Sequence, residues 1–138
     1  MVETHEIHLS TQGYCDIQNI TEAVAGSVQA GGLSNGIATI FTPSATSAIT
    51  TVEYESGMLA DFEDFFERVA AQAWEYKHNE RWHDGNGFSH VRAALIGPSL
   101  TVPFINKRLS LGTWQQIVFL DFDNRSRSRK VIIQLIGN

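Results

Sequence analysis

The strongest pattern in this sequence is an amphipathic helix between residues 59 and 70. Apolar side chains recur there at helical spacing, and acidic side chains occupy the opposite face. Because most other segments have strand periodicity, this helix favours a mixed fold over an all-helical or all-β one. We expect its apolar stripe to pack in the core, and it consists of Leu59, Phe62, Phe65, Phe66, Val69 and Ala70.

The remaining segments predict an α+β domain over residues 1–138. Residues 2–9 alternate apolar and polar side chains, which indicates a half-buried strand. Asn19 or Thr21 can cap a further helix over residues 20–30, and a short helix over residues 88–96 ends at Gly97-Pro98. Six more strands are expected, at residues 14–17, 36–42, 48–54, 100–105, 114–122 and 129–136.

Composition limits the function classes. With 43% hydrophobic and 18% charged residues the chain can bury a core, and its net charge of −5 argues against a general nucleic-acid binder. No apolar run approaches the ~20 residues of a membrane span, and the alternating N-terminus is not typical of a signal peptide. Cys15 is the only cysteine and forms no internal disulfide. We therefore expect a cytoplasmic protein that is not bound to a membrane.

Two histidines and one turn are candidates for chemistry. His78 and His90 carry imidazoles, which bind zinc and similar ions, although each is equally compatible with an ordinary surface or capping role. Residues 84–87 (Asp-Gly-Asn-Gly) predict a tight turn before a helix, whose first N–H groups can bind an anion. Ser89 and Arg92 lie on or near that first helical turn.

Basic residues near the C-terminus share one face if they are extended. Arg125, Arg127 and Arg129 alternate along the chain, so each needs solvent, a carboxylate from another subunit or a substrate phosphate. Nucleophilic catalysis has little support, because Cys15 lies beside a strand where an inert thiol is the usual state. No phosphate-binding loop or dinucleotide-binding motif occurs.

Several segments resemble the YjbQ-like family. Residues 42–48 (Thr-Pro-Ser-Ala-Thr-Ser-Ala) correspond to a Pro-His-Thr-Thr-Ala type segment, and Glu53 corresponds to the end of an Asn-Glu-Asn type strand. Residues 78–79 (His-Asn) and 84–93 (Asp-Gly-Asn-Gly-Phe-Ser-His-Val-Arg-Ala) are similar to the family's histidine-bearing loop and next helix. The resemblance continues through residues 95–99 (Leu-Ile-Gly-Pro-Ser), 111–116 (Leu-Gly-Thr-Trp-Gln-Gln) and the hairpin at 121–129.

This resemblance implies a two-sheet β-sandwich with helices, in the order β-β-α-β-β-α-β-β-β plus a short extra helix. It also implies a homotrimer. The family is associated with a secondary thiamine-phosphate synthase activity, which joins a pyrimidine pyrophosphate to a thiazole phosphate. Such a reaction needs a divalent ion, zinc or magnesium, and cationic groups for the phosphates.

On the same basis we expect the catalytic and metal-binding residues to be Glu53, His78 and His90. Ser44 departs from the family pattern, because it stands where a histidine is common. A serine hydroxyl is a poor ligand for such ions, so the site is expected to be weaker than a three-histidine version. A carboxylate or imidazole from Glu53, Asp84 or His83 could compensate. The expected ligand-binding residues are Ser44, Thr46, Asn86, Ser89, Arg92 and Gln115.

Three functions remain open from the sequence. The first is a thiamine-phosphate synthase-like transferase. The second is a non-catalytic trimeric binding protein for a metal ion or a small phosphorylated ligand. The third is a structural oligomer, which would have no ordered polar pocket around His78 and His90.

Overall fold

A computed structural model describes residues 1–138 as eight strands and four helices. The chain order is strand, strand, helix, strand, strand, three helices and four strands. The elements are β1 (Val2–Thr11), β2 (Asp16–Asn19), α1 (Thr21–Ala30), β3 (Gly36–Phe41), β4 (Ser47–Val52), α2 (Ser56–Val69), α3 (Lys77–Trp82), α4 (Gly87–Ile96), β5 (Ser99–Ile105), β6 (Arg108–Leu109), β7 (Gln116–Asp121) and β8 (Arg127–Gly137).

The strands form two antiparallel sheets, which confirms the predicted α+β fold. The larger sheet has the order β1-β8-β3-β5-β6, and the smaller sheet has the order β2-β7-β4. All the strand pairs are antiparallel. Strands that are distant in sequence pair with one another, as β1 does with β8, so the two ends of the chain lie side by side.

The smaller sheet is buried on both faces, and β7 is its central strand. Ile117 and Phe119 point into a core shared with the larger sheet and α1, whereas Val118 and Leu120 point into a second core beneath α2 and α4. A continuous apolar run is what such a doubly covered strand requires, and residues 117–120 supply it. The run ends in Asp121 and Asp123, both of which are buried.

Helix α2 buries less of its apolar stripe than its spacing predicts. Phe66 is fully buried against Phe122 of the second core, but Phe65 and Val69 are 46% and 39% exposed. The helix rests on the smaller sheet through a narrower line of side chains, including Phe62 and Phe66. The expectation that Phe65 and Val69 belong to the core is therefore corrected.

One helix was not predicted from the sequence, and one predicted strand is corrected. Helix α3 (Lys77–Trp82) occupies a stretch without clear periodicity, because its side chains are exposed or only partly buried and so leave no apolar stripe. The strand expected at residues 114–122 begins at Gln116 instead. Thr113 and Trp114 belong to the preceding turn, in which the Gln115 side chain accepts a hydrogen bond from the N–H of Gly112.

Candidate functional site

The largest group of polar side chains surrounds an open cleft of about 450 Å³ at one end of the smaller sheet. Four segments meet there: the loop before β4, helix α3, the start of α4 and the connection from β7 to the start of β8. Strands β7 and β8 belong to different sheets, so the hairpin expected at residues 121–129 is corrected to a loop between the sheets. The lining includes two histidines, two arginines, two aspartates and an exposed tryptophan. The residues are Pro43, Ser44, Ala45, Thr46, His78, Trp82, Asp84, Asn86, His90, Asp123, Arg127 and Arg129.

Two buried carboxylates organise the arginines of this cleft. Asp121 accepts hydrogen bonds from Arg129 through Nε at 2.7 Å and Nη2 at 3.0 Å, and another from the Thr11 hydroxyl at 2.6 Å. Asp123 accepts one from Arg127 Nε at 2.7 Å. The alternation of Arg127 and Arg129 thus matches the alternation of Asp121 and Asp123, and the two pairs fix the guanidinium groups at the base of the cleft.

Asp123 is held ionised by its surroundings. Burial alone would raise the pKa of this carboxyl, but hydrogen bonds from Asn86, from the backbone N–H of Asn124 and from Arg127 outweigh burial and lower its pKa. The charge of Arg127 acts in the same direction. Asp123 therefore remains an anion that orients its partners.

A left-handed turn holds the backbone of Asp123. The N–H of Tyr14 donates to the Asp123 carbonyl at 2.7 Å. Gly13, at φ +82°, passes so close that an added Cβ would lie 2.4 Å from the same carbonyl oxygen. Only glycine has room at this position, so the turn fixes the end of β7 against β1 and β2.

Arg129 also reaches the loop before β4. It donates to the Ser44 hydroxyl at 3.0 Å through Nη1 and to the Thr46 hydroxyl at 2.8 Å through Nη2. Ser44 therefore belongs to a hydrogen-bonded arginine network instead of facing the cleft as a free ligand. With most of its N–H groups engaged, Arg129 is less able to bind a ligand than Arg127.

His78 is oriented by two acceptors. Its Nε2 lies 3.0 Å from Asn86 Oδ1 and 3.2 Å from Asp84 Oδ1, so this nitrogen carries the proton. The amide of Asn86 donates in turn to Asp123 Oδ1 at 3.2 Å. A chain of contacts thus runs from Arg127 through Asp123 and Asn86 to His78, and it leaves Nδ1 of a neutral His78 with a free lone pair.

His90 lies against His78, with 4.3 Å between ring centroids and 49° between ring planes. Burial, followed by the nearby His78, lowers the pKa of His90. The pKa is raised by the nearby Asp84 and Asp123 and by a hydrogen bond with the backbone of Ala45, but these effects are smaller and the pKa stays below its ordinary value. His90 is therefore neutral at pH 7 and is suited to accept a proton or to bind a cation.

The structure brings together five of the residues predicted from the sequence: Ser44, Thr46, Asn86, His78 and His90 all line the cleft. It does not bring Glu53 to them. Glu53 follows the last residue of β4, whereas Thr46 precedes the first, so the two lie at opposite ends of the strand. Glu53 lines a different hollow, beside Tyr54 and Trp114, and Gln115 donates a hydrogen bond to Thr51 near that end.

The anion site expected at the start of α4 is also absent from this arrangement. The N–H of Gly87 donates to Asn79 Oδ1 at 2.8 Å, and the Ser89 hydroxyl donates to the Asn86 carbonyl at 2.6 Å. Arg92 is only 1% exposed. It donates to Glu67 Oε1 at 2.6 Å and to the Ala70 carbonyl at 2.9 Å, so it ties α4 to the end of α2 instead of facing the cleft.

The residues of the cleft do not by themselves form a metal site. No group of three or more His, Cys, Asp and Glu side chains is arranged to hold an ion. His78 and His90 supply two nitrogen ligands, Glu53 is remote and Ser44 contacts Arg129. A catalytic zinc ion usually has three protein ligands, so this set falls one short.

Sequence reasoning missed the acidic partners and one wall of this cleft. Asp121 and Asp123 follow an apolar run, and their spacing of two matches that of Arg127 and Arg129 after the next loop. This matched spacing of opposite charges was the available signal. Trp82 gave no such signal, because α3 has no periodicity that would orient it.

These features define a class of protein: an α+β chain with two antiparallel sheets and a polar cleft at the end of the smaller sheet. The chain belongs to the UPF0047 (YjbQ-like) family, whose pattern matches residues 5–138. This confirms the resemblance seen in the sequence.

Related proteins match this chain over almost its entire length. A UPF0047 protein of Methanothermobacter thermautotrophicus is 39% identical, and the match covers 99% of this chain and 93% of that protein. A crystal structure of an uncharacterised YjbQ/UPF0047 protein from Clostridium acetobutylicum has a TM-score of 0.87 at 34% identity, covering 96% and 99% of the two chains. A hypothetical protein from Aeropyrum pernix superposes with a TM-score of 0.91 at 29% identity, covering 99% of each. The family and the fold are thus established, and none of these names gives an activity.

None of the four helices is long and apolar enough to cross a membrane.

Proposed function

We propose that the cleft binds a small phosphorylated molecule through Arg127, beside the histidine pair. The observation that carries the proposal is the position of Arg127 in the cleft. Its Nε and Nη2 both contact Asp123 Oδ2 at 2.7 Å, while Nη1 makes no hydrogen bond within the chain. An arginine that is fixed on one side and open on the other suits a phosphate oxygen.

The histidines support the same ligand class. A phosphate bound beside His90 would favour the protonated ring and oppose the effect of burial, so that the imidazolium donates a hydrogen bond to it. Asn86 and Asp84 hold His78 through Nε2, so Nδ1 of the neutral ring is left to accept a hydrogen bond from a protonated phosphate oxygen. Anion binding at this cleft therefore has both a fixed cation and a cation that forms on binding.

The reaction we propose for the site is thiamine-phosphate synthesis, the activity that the family resemblance implies. The thiazole ring nitrogen forms a bond to the methylene carbon of the pyrimidine pyrophosphate. The carbon–oxygen bond breaks, and pyrophosphate leaves with its electron pair. Arg127 and protonated His90 would bind the oxygens of the leaving group, where negative charge develops.

We propose that a divalent ion binds in the cleft only together with the pyrophosphate substrate. The cleft lacks a third ligand for a resident metal ion, but magnesium is commonly bound through substrate phosphates and one or two carboxylates. Pyrophosphate can therefore arrive as its magnesium complex. No step attributed here to Arg127 or His90 depends on a metal ion held by the chain.

The alternative is a non-catalytic binding protein for the same ligand class, because the contacts available from Arg127 and His90 account for binding without requiring a reaction. Binding of inorganic pyrophosphate, measured by calorimetry, tests what both functions share. We expect Arg127→Gln to weaken binding at least roughly tenfold, since it removes a charge-assisted contact. Arg125→Gln is the matched control, because Arg125 is exposed on the loop between β7 and β8 and does not line the cleft.

A turnover assay separates the two functions. The intact protein is incubated with magnesium, the pyrimidine pyrophosphate and the thiazole phosphate, and thiamine phosphate is measured. Product that is lost in Arg127→Gln supports the transferase. Pyrophosphate binding without any product supports the binding protein. If neither pyrophosphate nor the two substrates bind, the cleft is not a phosphate site and both functions fail.

A further inference from the structure

A second hollow lies next to the cleft and shares three of its residues. Its volume is about 350 Å³, and Ser44, Ala45 and His90 line both spaces. The hollow is therefore an extension of the candidate site, with the His90 ring at the junction.

The walls of this hollow differ in chemistry from those of the cleft. The residues found only here are Ser47, Ala93, Ala94 and Pro98, and none of them carries a charge. The Ser47 hydroxyl is fully buried and paired with the Thr42 hydroxyl at 2.7 Å, so it is not free for a ligand. Small side chains leave the hollow open, and its surface offers van der Waals contact instead of hydrogen bonds.

We infer that this hollow binds the uncharged ring of the same ligand whose phosphate binds Arg127. The inference rests on the proposed function and adds the position of the ring in such a substrate: the short link from the phosphate passes His90, and the ring lies in the hollow. A free phosphate would leave the apolar hollow empty, and a purely apolar ligand would leave Arg127 unpaired. Only a ligand with both parts matches the two kinds of wall.

Ala94 sets the space for the ring. It lies on α4 one turn after His90, it is exposed, and it faces the hollow. A larger side chain there would occupy the hollow without touching Arg127 or the core. Ala94 is therefore the specificity-determining position in this inference.

The competing position for a ring is Trp82, which lines the cleft on the side of α3 and is 62% exposed. An aromatic ligand could stack on its indole instead of entering the hollow. The two arrangements predict loss of ring affinity in different variants, so one experiment decides between them.

The experiment compares inorganic phosphate with phenyl phosphate by calorimetry on the intact protein. We expect phenyl phosphate to bind roughly tenfold tighter, the gain for partly burying one ring. Ala94→Phe should abolish that gain and leave the affinity for inorganic phosphate unchanged. Ala60→Phe, at an exposed position on α2 away from the site, should leave both affinities unchanged.

Each outcome has a distinct meaning. If Ala94→Phe keeps the gain, or if Trp82→Ala removes it, the hollow is not the ring site and the inference is overturned. Equal affinities for the two compounds in the unaltered protein overturn it as well, while the phosphate site stands. If inorganic phosphate does not bind at all, the proposed function itself fails. Loss of the gain in Ala94→Phe alone supports the inference.

Discussion

The imidazole rings of His78 and His90 lie 4.3 Å apart between centroids, although twelve positions separate the two residues in sequence. The Asn86 side chain holds His78 through Nε2, and the His90 ring packs against the His78 ring. The pair therefore contains one histidine fixed by hydrogen bonds and one whose protonation responds to its surroundings. The first prediction follows from this difference.

His90 should take up its proton only below pH 6.5, the ordinary value, because burial and His78 lower its pKa in the folded chain. In the window between its folded pKa and 6.5 the unfolded chain binds more protons, so the free energy of unfolding falls as the pH falls. A two-dimensional NMR titration of the imidazole protons checks this. In His90→Gln the free energy of unfolding should fall less as the pH is lowered through this window. A measured His90 pKa above 6.5 would contradict the prediction.

Replacing Phe66 with alanine should destabilise the protein by about 3–5 kcal/mol, the usual cost of a cavity left by a buried phenylalanine. Phe66 has no exposed surface and lies 4.8 Å from the Phe122 ring, centroid to centroid. Phe65 is the matched control on the same helix, and since it is 46% exposed its replacement should cost less than about 1 kcal/mol. Urea unfolding measures both, and equal losses would show that the two side chains are buried alike.

Cys15 should be inert toward thiol reagents in the folded protein. Burial, with a smaller contribution from Glu63, raises the pKa of its thiol to about 12, so almost no thiolate exists at pH 8. A chromogenic disulfide reagent should react with it only after the chain unfolds in denaturant. Rapid reaction without denaturant would mean that the turn at residues 13–15 opens in solution.

Replacing Ser44 with histidine should create a stronger metal site. The new imidazole would join His78 and His90 around one cleft, giving three nitrogen ligands and leaving one position for water. Cobalt binding, followed by its visible absorption, should tighten at least roughly tenfold relative to the unaltered chain. Ser44→Ala is the control, since it also removes the hydrogen bond from Arg129 but adds no ligand. Equal cobalt affinities in the two variants would show that position 44 does not reach the histidines.

We expect the protein to be a homotrimer in solution, as the family resemblance implies. The outer face of the larger sheet is consistent with such an interface, because it exposes Ile37, Phe41, Ile105 and Ile136. Light scattering at micromolar concentration should give three times the mass of one chain. A mass equal to a single chain would exclude this assembly.

Much of the fold could be predicted from the sequence because local patterns specify it. Alternation in β1, the continuous apolar run of β7 and the stripe of α2 each identified an element. Helix α3 has mostly exposed side chains and therefore no such pattern. The exposure of Phe65 could not be predicted either, since a helical stripe shows which face is apolar but not how much of it the neighbouring sheet covers.

The site was predictable only in part, for a related reason. His78, His90 and Ser44 come together because helices α3 and α4 and the loop before β4 meet at one end of the smaller sheet, and the resemblance identified these segments. Glu53 was grouped with them, although a full strand separates it from Thr46. Arg92 is basic and near the turn, but its direction on α4 depends on packing against Phe66 and Phe88. Such directions are set by tertiary contacts, which one sequence does not display.

The position of strand β7 between the two cores has a consequence for how the protein unfolds. Its successive side chains enter the two cores alternately, so the packing on either side of the smaller sheet is lost when this strand moves. The backbone amides of residues 117–120 should be among the slowest in the chain to exchange with deuterium, because they open only in global unfolding. Asp121 is the last residue of β7 and Asp123 follows it by two positions, so the base of the cleft should persist until that last cooperative step.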